Sequence, residues 1–520
     1  MRNRAIFRTI HVAALCLCAI LLPWSTAILS MAQMLLALNW FVDGYVNKDL
    51  SARLRKGFTS TTSLVFISFF VLHVVGLLWT SPEGMAWGMD LARILFPVVV
   101  FSVILSGSER LTQKELRTIL LFGAWSVVAS TVICFIGFVP SGDGYREFSI
   151  FISHIRLSLL LCFAIVVFFN YRARSWIMVA QTIASLWVLY VINRLGSIQG
   201  FMILFVLGGL LLWRLLGRIQ PLLRYTIRFV LIAVPLCVLV WVGSTVTKSF
   251  SLPDPVAMGA GEYTAGGEAY TYDATNPQKE NGAYVWSYIA WAELDRTWKT
   301  RSRLGLADMD SSGHILYGTL FRYLSSKGLH KDSIAITGLA ASEIEAIERG
   351  VTNTGNESKL EQRFSEVVME LGQYKAYGNA DGHSVAMRLE FWKAGSAIAK
   401  ANWLTGVGTG DTQVAFDEYY EATNSTLAEE WRLRAHNEYL TLLISFGVLG
   451  LLWTLFSWWW PAYVTGAWRD PLFIAWAVIF GISCLTDDTI ETQAGATFFA
   501  LYYAVLVFAA PERSSSRIEP

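Results

Sequence analysis

The stretch Arg434-Ala435-His436-Asn437-Glu438-Tyr439-Leu440 marks the point at which a long polar region gives way to an apolar run. That run continues to about residue 460 and contains Gly447 and Gly450. It predicts a membrane helix that starts beside a histidine and an asparagine. Because imidazole groups titrate at about pH 6.5 in water, a histidine at such a junction can exchange a proton near neutral pH.

The whole chain has the composition of a polytopic membrane protein. Of its 520 residues, 54% are hydrophobic and 16% are charged, whereas soluble domains carry about 25% charged residues. The net charge is +1, so charge gives no support for a nucleic-acid partner, and we expect none. All six cysteines lie in apolar runs, so the polar region offers no disulfide framework and no cysteine-based zinc site.

Apolar runs along the chain predict about twelve membrane helices, because a helix needs roughly 17–25 residues to cross a bilayer. We therefore expect an all-α polytopic integral membrane protein with a large, mostly helical periplasmic loop before the tenth helix. The runs lie at about residues 7–27, 29–44, 61–80, 86–106, 116–139, 153–170, 174–192, 199–216, 226–246, 436–460, 471–486 and 494–511.

Basic residues set the expected orientation. If Arg2 and Arg4 lie in the cytoplasm, every second loop is rich in Arg and Lys and the short outer loops hold almost none. Both termini are then cytoplasmic. The predicted organisation is membrane helices one to nine in 1–246, a periplasmic domain in 247–435, membrane helices ten to twelve in 436–511 and a cytoplasmic tail in 512–520. The first run has a poor cleavage site, so we interpret it as a retained helix rather than a signal peptide.

The outer segment is expected to be a loop at Met258–Asn276, followed by helices. The predicted helices are Ala283–Lys299, His314–Ser326, Ala341–Arg349, Glu361–Tyr374 and Ser384–Trp403. Gly and Asn clusters separate several of them. We assign no role to about residues 258–375.

Three arginines, Arg146, Arg156 and Arg194, break the charge rule on the outer side. An arginine inside a span costs about 2.5–3.5 kcal/mol on insertion scales, so such residues need a partner. Guanidinium groups bind phosphate bidentately, which favours an anion site at the outer leaflet. The alternative is snorkelling to lipid head groups or a structural ion pair. We interpret Asp90 and Arg93, three residues apart, as such a pair.

The last part of the outer segment contains two further patterns. Arg388 and Trp392 are four residues apart and therefore lie on one helix face. The run Gly406-Val407-Gly408-Thr409-Gly410 contains the glycines of a phosphate-binding loop, but it follows no clear strand and lacks the Lys-Ser/Thr ending. We interpret it as a turn.

Together these features resemble the O-antigen ligase superfamily of bacterial membrane glycosyltransferases. The resemblance rests on Arg388-x-x-x-Trp392 followed by Leu404-Thr405-Gly406-Val407-Gly408, and on His436-Asn437-x-x-Leu440 leading to Gly447-x-x-Gly450. Arg194 between the seventh and eighth spans and the twelve-helix topology add to it. The motifs cover roughly residues 190–500.

The resemblance implies transfer of a glycan from undecaprenyl diphosphate on the periplasmic side of the bacterial inner membrane, without nucleotide, metal or other cofactor. The acceptor is lipid A-core in the ligases, another glycan in related polymerases, and serine or threonine in protein O-oligosaccharyltransferases. Membrane lipids are the remaining partners. Arg194 and Arg388 match the family's diphosphate-binding arginines, with Arg156 a weaker candidate, and His436 matches the general base. The displacement inverts the anomeric carbon.

The last outer loop adds acidic residues near the expected site. Asp487, Asp488, Glu491 and Gln493 fill this loop. A carboxylate there, with Asp488 and Glu491 the named candidates, can orient His436 or bind sugar hydroxyls, as can Asn437. A solvated acidic loop is the alternative. A transporter of lipid-linked sugar is a further hypothesis from another class. Transporters place charges near the membrane midplane, whereas the polar residues here gather at one face, which favours the enzyme.

Overall fold

The computed structural model describes residues 2–137, 148–174, 176–215, 225–228, 258–276, 278–311, 313–354, 367, 370–371, 374, 378 and 380–511. Arg146, the cytoplasmic tail and nearly all of the predicted span at 226–246 lie outside the described residues. So does most of the predicted helix Glu361–Tyr374.

Eight helical segments in the described part of the chain are long and apolar enough to cross a membrane, and three shorter helices are also apolar. One of the eight, Pro82–Gly107, consists of two successive helices, and another, Thr61–Trp79, ends in a 3-10 turn. These eleven helices coincide with eleven of the predicted runs. The mostly helical, multi-pass class is therefore confirmed, while the count of twelve and the sidedness stay predictions. In chain order the helices before the outer segment are α1 Arg2–Leu21, α2 Thr26–Val46, α3 Leu50–Thr59, α4 Thr61–Gly76, α5 Pro82–Leu95, α6 Pro97–Gly107, α7 Gln113–Gly137, α8 His154–Asn170, α9 Trp176–Arg194 and α10 Ile198–Leu215.

The outer segment has two antiparallel strands, β1 Lys279–Glu280 and β2 Ala283–Tyr284, and six described helices. Three of the predicted helical patterns coincide with observed helices. The predicted helix Ala283–Lys299 is wrong in its first part, which contains β2, because the helix there begins only at Trp291. The strands, α13 and α16 were not predicted. The helices are α11 Trp291–Trp298, α12 Leu316–Ser326, α13 Ser333–Gly338, α14 Ala341–Glu348, α15 Ser384–Ala401 and α16 Thr412–Ala422. The final helices are α17 Glu438–Val464, α18 Pro471–Thr486 and α19 Gln493–Val507.

Side-chain caps fix where the helices around the site begin. Asn437 accepts a hydrogen bond from Leu440 N at 3.2 Å at the start of α17. Asp470 and Thr492 cap α18 and α19 in the same way, and a proline opens α18. Such caps satisfy backbone N–H groups that have no partner inside the helix. The loop 487–492 between α18 and α19 is held at one end by the Thr492 cap and at the other by the hydrogen bond from Asp487 N to Ser483 O at 3.0 Å.

Helix α19 forms the centre of the membrane bundle, because every residue from Ala494 to Val507 is buried. Phe66 of α4 stacks on Tyr503 at 3.9 Å between ring centroids. The region 285–347 has a separate hydrophobic core that includes Trp298 and Leu320. A third core joins α15, α16 and the start of α17 through Phe391, Phe416 and Ile444.

The predicted single helix at 436–460 is wrong in one respect: it is broken at Gly447, which has φ 63° and ψ −171°. The segment 403–408 fills the break. Val407 N donates to Ile444 O at 2.9 Å, Gly408 N donates to Ser445 O at 2.9 Å, and Val448 N donates to Trp403 O at 2.7 Å. Backbone polar groups within a membrane must find such partners.

Residues 409–411, which continue this segment, form hydrogen bonds with α4 and with the residue before α5. Thr409 Oγ1 donates to His73 O of α4 at 2.7 Å. The Asp411 carboxylate accepts from Ser81 N at 2.7 Å, just before α5. Residues 403–411, which the predicted boundary at 435 places in the outer domain, therefore pack among the membrane helices. The break lies nine residues into α17, about 13 Å along it at 1.5 Å per residue.

Candidate active site

His436 lies in the turn that precedes α17, with its backbone in the left-handed region at φ 46°. Its side chain is 36% exposed, and Nδ1 lies 3.4 Å from Asp487 Oδ1 and 3.9 Å from Asp488 Oδ2. The Phe391 ring lies 5.8 Å from the imidazole, centroid to centroid. Carboxylates therefore lie near Nδ1, while part of the side chain stays exposed.

Helix α15 holds this turn against the end of α18. Trp392 Nε1 donates to the carbonyl of Ala435, the residue before His436, at 3.0 Å. One turn earlier, Arg388 Nη2 approaches the carbonyl of Thr486 at 3.5 Å, next to Asp487. The predicted shared face of Arg388 and Trp392 is thus observed, and it links the histidine turn to the acidic loop.

Asp487 lies between a histidine and a buried arginine. Arg156 Nη1 forms an ion pair with Asp487 Oδ2, and the two side chains are only 12% and 6% exposed. Arg156 also donates to Asp488 O at 3.1 Å and to Thr492 Oγ1 at 3.3 Å. Burial alone would raise the pKa of Asp487, but His436 and Arg156 outweigh it and hold that pKa below its usual value. Asp487 is therefore a fixed negative charge beside the imidazole.

A second ion pair holds the acidic loop 487–492. Arg434 contacts Glu491 and lies 4.8 Å from the centre of the Trp87 ring of α5. Burial raises the pKa of Glu491 to about 7, because the nearby Asp488 and Asp487 add to the cost of its charge and offset the attraction of Arg434. Glu438 Oε2 accepts from Ile490 N at 3.0 Å. These contacts fix the acidic loop to the first turn of α17.

The remaining acidic candidate and the asparagine have structural partners. Thr441 Oγ1 donates to Asp488 Oδ1 at 2.7 Å, and the Asn437 side-chain oxygen caps α17. Glu491 is 6% exposed and Asp488 is 5% exposed. The acidic loop is thus buried rather than solvated. Among the residues described, no group of three or more His, Cys, Asp or Glu side chains is arranged to hold a metal ion.

Arg194 is the last residue of α9 and is half-buried. Three residues later, Ser197 accepts a hydrogen bond from Ser158 at 2.9 Å, and Ser158 lies two residues after Arg156 in the first turns of α8. This bond places the end of α9 at the same end of the bundle as Arg156. The structure thus places Arg194 on the face that carries His436, and it brings Arg156, Arg388 and His436 to a single acidic loop.

The glycine run 406–410 is a turn, as predicted, and its N–H groups are already used. Gly408 N donates to Ser445 O, Thr409 N to Gly76 O at 3.3 Å and Gly410 N to Thr80 Oγ1 at 3.2 Å. A phosphate cradle needs such N–H groups to point at the ligand. Gly406 is also indispensable for space, because a Cβ there would lie 2.3 Å from Phe446 N.

Two side chains at the site were not predicted. Asp487 belongs to the loop whose carboxylates were expected to orient His436, but nothing in the sequence linked Arg434 to Glu491 or Glu438 to the loop backbone. The pairs are separated by more than fifty residues, as with Glu438 and Ile490. Their charge inside an apolar stretch is the signal that could have marked them, because buried charges are almost always paired.

Comparison with known proteins supports the resemblance drawn from the motifs. Residues 333–455 match the family model described as O-antigen ligase, which covers Arg388, the glycine turn, His436 and the break at Gly447. No curated protein matches the chain. The match supports membership of the O-antigen ligase superfamily and, with the apolar helices, a multi-pass membrane glycosyltransferase of the ligase and polymerase type.

Proposed function

We propose that the protein is an O-antigen ligase that transfers a glycan from undecaprenyl diphosphate to lipid A-core on the periplasmic face of the bacterial inner membrane. The proposal is supported above all by His436, whose Nδ1 lies 3.4 Å from the buried Asp487 carboxylate at a membrane-surface turn. A carboxylate at Nδ1 favours the tautomer in which Nε2 is unprotonated. Nε2 is then the nitrogen that can accept a proton.

In the proposed reaction, the acceptor hydroxyl oxygen attacks the anomeric carbon and the bond from that carbon to the diphosphate oxygen breaks. His436 Nε2 takes the hydroxyl proton, and undecaprenyl diphosphate leaves with the bonding electron pair. Inversion at the anomeric carbon follows from this single displacement. Positioned base catalysis is worth about 10²–10⁴-fold, and Asp487 stabilises the imidazolium that forms.

The arginines divide into two groups. Arg156 and Arg434 each contact a buried carboxylate, so their charges are largely offset. Arg388 and Arg194 match the family's diphosphate-binding arginines, and Arg388 approaches the carbonyl of Thr486 beside the acidic loop. We assign the diphosphate to Arg388 and Arg194, and we assign Arg156 to the positioning of Asp487. A guanidinium pair would stabilise the charge that develops on the leaving diphosphate.

Two related activities use the same donor and the same site. A polymerase would transfer the glycan to another lipid-linked glycan, and a protein O-oligosaccharyltransferase would transfer it to serine or threonine. The proposed catalytic residues act on the donor, which is the same in all three activities. The identity of the acceptor therefore distinguishes the ligase from the polymerase and from the protein O-oligosaccharyltransferase. A lipid-linked sugar transporter differs in class and would not depend on a base at His436.

The test uses the native host with its own gene copy deleted and complemented by the wild type or by His436→Asn. Asparagine tolerates a left-handed backbone better than most residues, so this change keeps the turn at φ 46°. His314→Asn is the matched control, because His314 is 75% exposed and lies outside the residues 333–455 that match the family model. Lipopolysaccharide and lipid-linked glycan are measured side by side at equal protein levels.

A ligase predicts loss of the long-chain ladder in His436→Asn, with full-length glycan accumulating on undecaprenyl diphosphate, while His314→Asn behaves as the wild type. Core carrying a single repeat would indicate a polymerase instead. An unchanged ladder in the deletion strain would show that the protein does not act in lipopolysaccharide assembly. A full ladder with His436→Asn would show that His436 is not the base.

A further inference from the structure

A polar cavity of about 170 Å³ lies at the end of the bundle opposite His436. Helix α19 connects the two ends: it starts after Thr492 at the acidic loop, and at its other end Ala509 O accepts from Leu111 N at 2.8 Å. Leu111 lies two residues after Glu109, and Gly107–Glu109 line the cavity. The site is thus remote from the proposed glycosyl transfer.

The ends of three candidate membrane spans surround this cavity. It is lined by the first turns of α1, the last turn of α2 and the end of α6, together with the short helix α3. Because these are span ends, the cavity lies at the depth of lipid head groups. Ile6 and Ile10, on the same helix as the lining residues Arg8 and His11, are 50% and 37% exposed. An apolar surface on which acyl chains can lie therefore adjoins a polar cavity.

The lining carries both signs of charge. Arg53 is held tightly by Asp43 at 2.6 Å and by Asp49 at 2.8 Å. Arg4 is held loosely: it reaches Asp49 at 3.5 Å and its side chain is 60% exposed. Lys56 is exposed and donates to Ser108 O at 2.9 Å, which uses one of its three N–H donors. Arg4 and Lys56 thus retain donors for an anion beside fixed carboxylates.

His11 lines this cavity and carries a buried polar atom. The residue is 6% exposed, and within the described part of the chain no protein atom forms a hydrogen bond to its Nε2. Burying a polar nitrogen without a partner costs about 1–3 kcal/mol. An imidazole nitrogen can donate or accept according to its tautomer, so a ligand with a phosphate and an ammonium can serve it in either form.

We infer that this cavity binds the head group of a membrane phospholipid that carries a phosphate and a primary ammonium, as in phosphatidylethanolamine. Arg4 and Lys56 bind the phosphate, and the ammonium lies near the carboxylates of Asp49 and Glu109. The acyl chains run along the apolar face of α1. A primary ammonium has N–H donors for carboxylates, whereas the quaternary ammonium of phosphatidylcholine has none.

The test is native mass spectrometry of the purified full chain in detergent with dioleoyl phosphatidylethanolamine, phosphatidylcholine or phosphatidylglycerol. We expect phosphatidylethanolamine to be retained best. Arg4→Gln and Lys56→Gln should each weaken its retention about fivefold, the effect of one interfacial cation. Arg55→Gln is the matched control, because Arg55 is an exposed cation of the same helix as Lys56 and does not line the cavity.

His11→Phe provides a variant of a different kind, since it removes the polar atom and fills space without touching an ion pair. It should also weaken retention of phosphatidylethanolamine. Competition by glycerophosphoethanolamine but not by inorganic phosphate would show that the whole head group is recognised. Equal retention of the three lipids, stronger retention of phosphatidylglycerol, or an equal loss in Arg55→Gln would overturn the assignment.

Discussion

Replacing Asp487 by asparagine tests the central feature of the proposed site, a buried carboxylate that serves both His436 and Arg156. The change keeps the size of the side chain and removes its charge. At 3.4 Å from His436 Nδ1, a unit negative charge stabilises an imidazolium by roughly 5 kcal/mol at an effective dielectric constant of 20. The ring is partly exposed, and solvent screening reduces this to about 3 kcal/mol.

A loss of that size corresponds to a fall in kcat of about 100-fold. The effect should appear in kcat rather than in KM, because the imidazolium forms only in the transition state. Arg156 keeps its hydrogen bonds to Asp488 O and Thr492 Oγ1. We therefore expect a moderate loss of stability, about 2 kcal/mol, rather than the 3–5 kcal/mol of a fully orphaned buried charge.

The assay is in vitro transfer from purified lipid-linked glycan to lipid A-core in detergent, with kcat and KM measured separately. Asp90→Asn is the control, because Asp90 pairs with Arg93 at 2.8 Å on an exposed face of α5. It should stay within about twofold of the wild type, since exposed ion pairs contribute little. A folded Asp487→Asn protein with unchanged kcat would refute the role given to this carboxylate.

Three further predictions follow from the same contacts. Gly447→Ala should prevent stable folding, because a left-handed backbone costs a residue with a side chain about 1–2 kcal/mol and the new Cβ would lie 2.3 Å from Leu404 C. Gly208→Ala is the control, since a Cβ at Gly208 would have no atom within 4 Å. It should keep the wild-type melting temperature in detergent. Burial raises the pKa of Glu491 from 4.5 to about 7, so the proton it holds contributes stability that is fully present below pH 4.5 and is lost as pH rises through 7; Glu491→Gln should flatten the melting temperature over that range. Arg388→Lys keeps the positive charge but loses the planar guanidinium that can bind phosphate bidentately, so KM for the donor should rise about tenfold. Lys393→Gln is the control, because its side chain is 68% exposed, and it should leave KM unchanged.

Local patterns predicted those features that depend on neighbours in the sequence. The apolar runs gave the described membrane helices within a few residues, since a span is decided by the hydropathy of its own residues. The pair Asp90–Arg93 is confirmed at 2.8 Å, because its spacing lies within one helix turn. The same reasoning identified the glycine run 406–410 as a turn.

Features that depend on distant residues were not predictable in this way. The break at Gly447 exists because residues 403–408 supply its hydrogen bonds, and no window around Gly447 contains them. Gly406 and Gly447 lie where two backbone segments approach each other closely. A Cβ at Gly406 would lie 2.3 Å from Phe446 N, and a Cβ at Gly447 would lie 2.3 Å from Leu404 C. Two positive-φ glycines some forty residues apart can be recognised as partners only in the folded chain.

The charge balance of the site explains why so many arginines gather there. Asp487 lies beside His436 with its side chain 6% exposed, and its negative charge would repel a diphosphate. Arg156 pairs with Asp487, and Arg434 contacts Glu491, so cations lie next to the acidic loop. In the proposed reaction Arg388 and Arg194, which match the family's diphosphate-binding arginines, bind the leaving group, so the arginines at this site have two separate tasks. Removal of Arg156 should therefore impair the base through Asp487, whereas removal of Arg388 should impair binding of the donor.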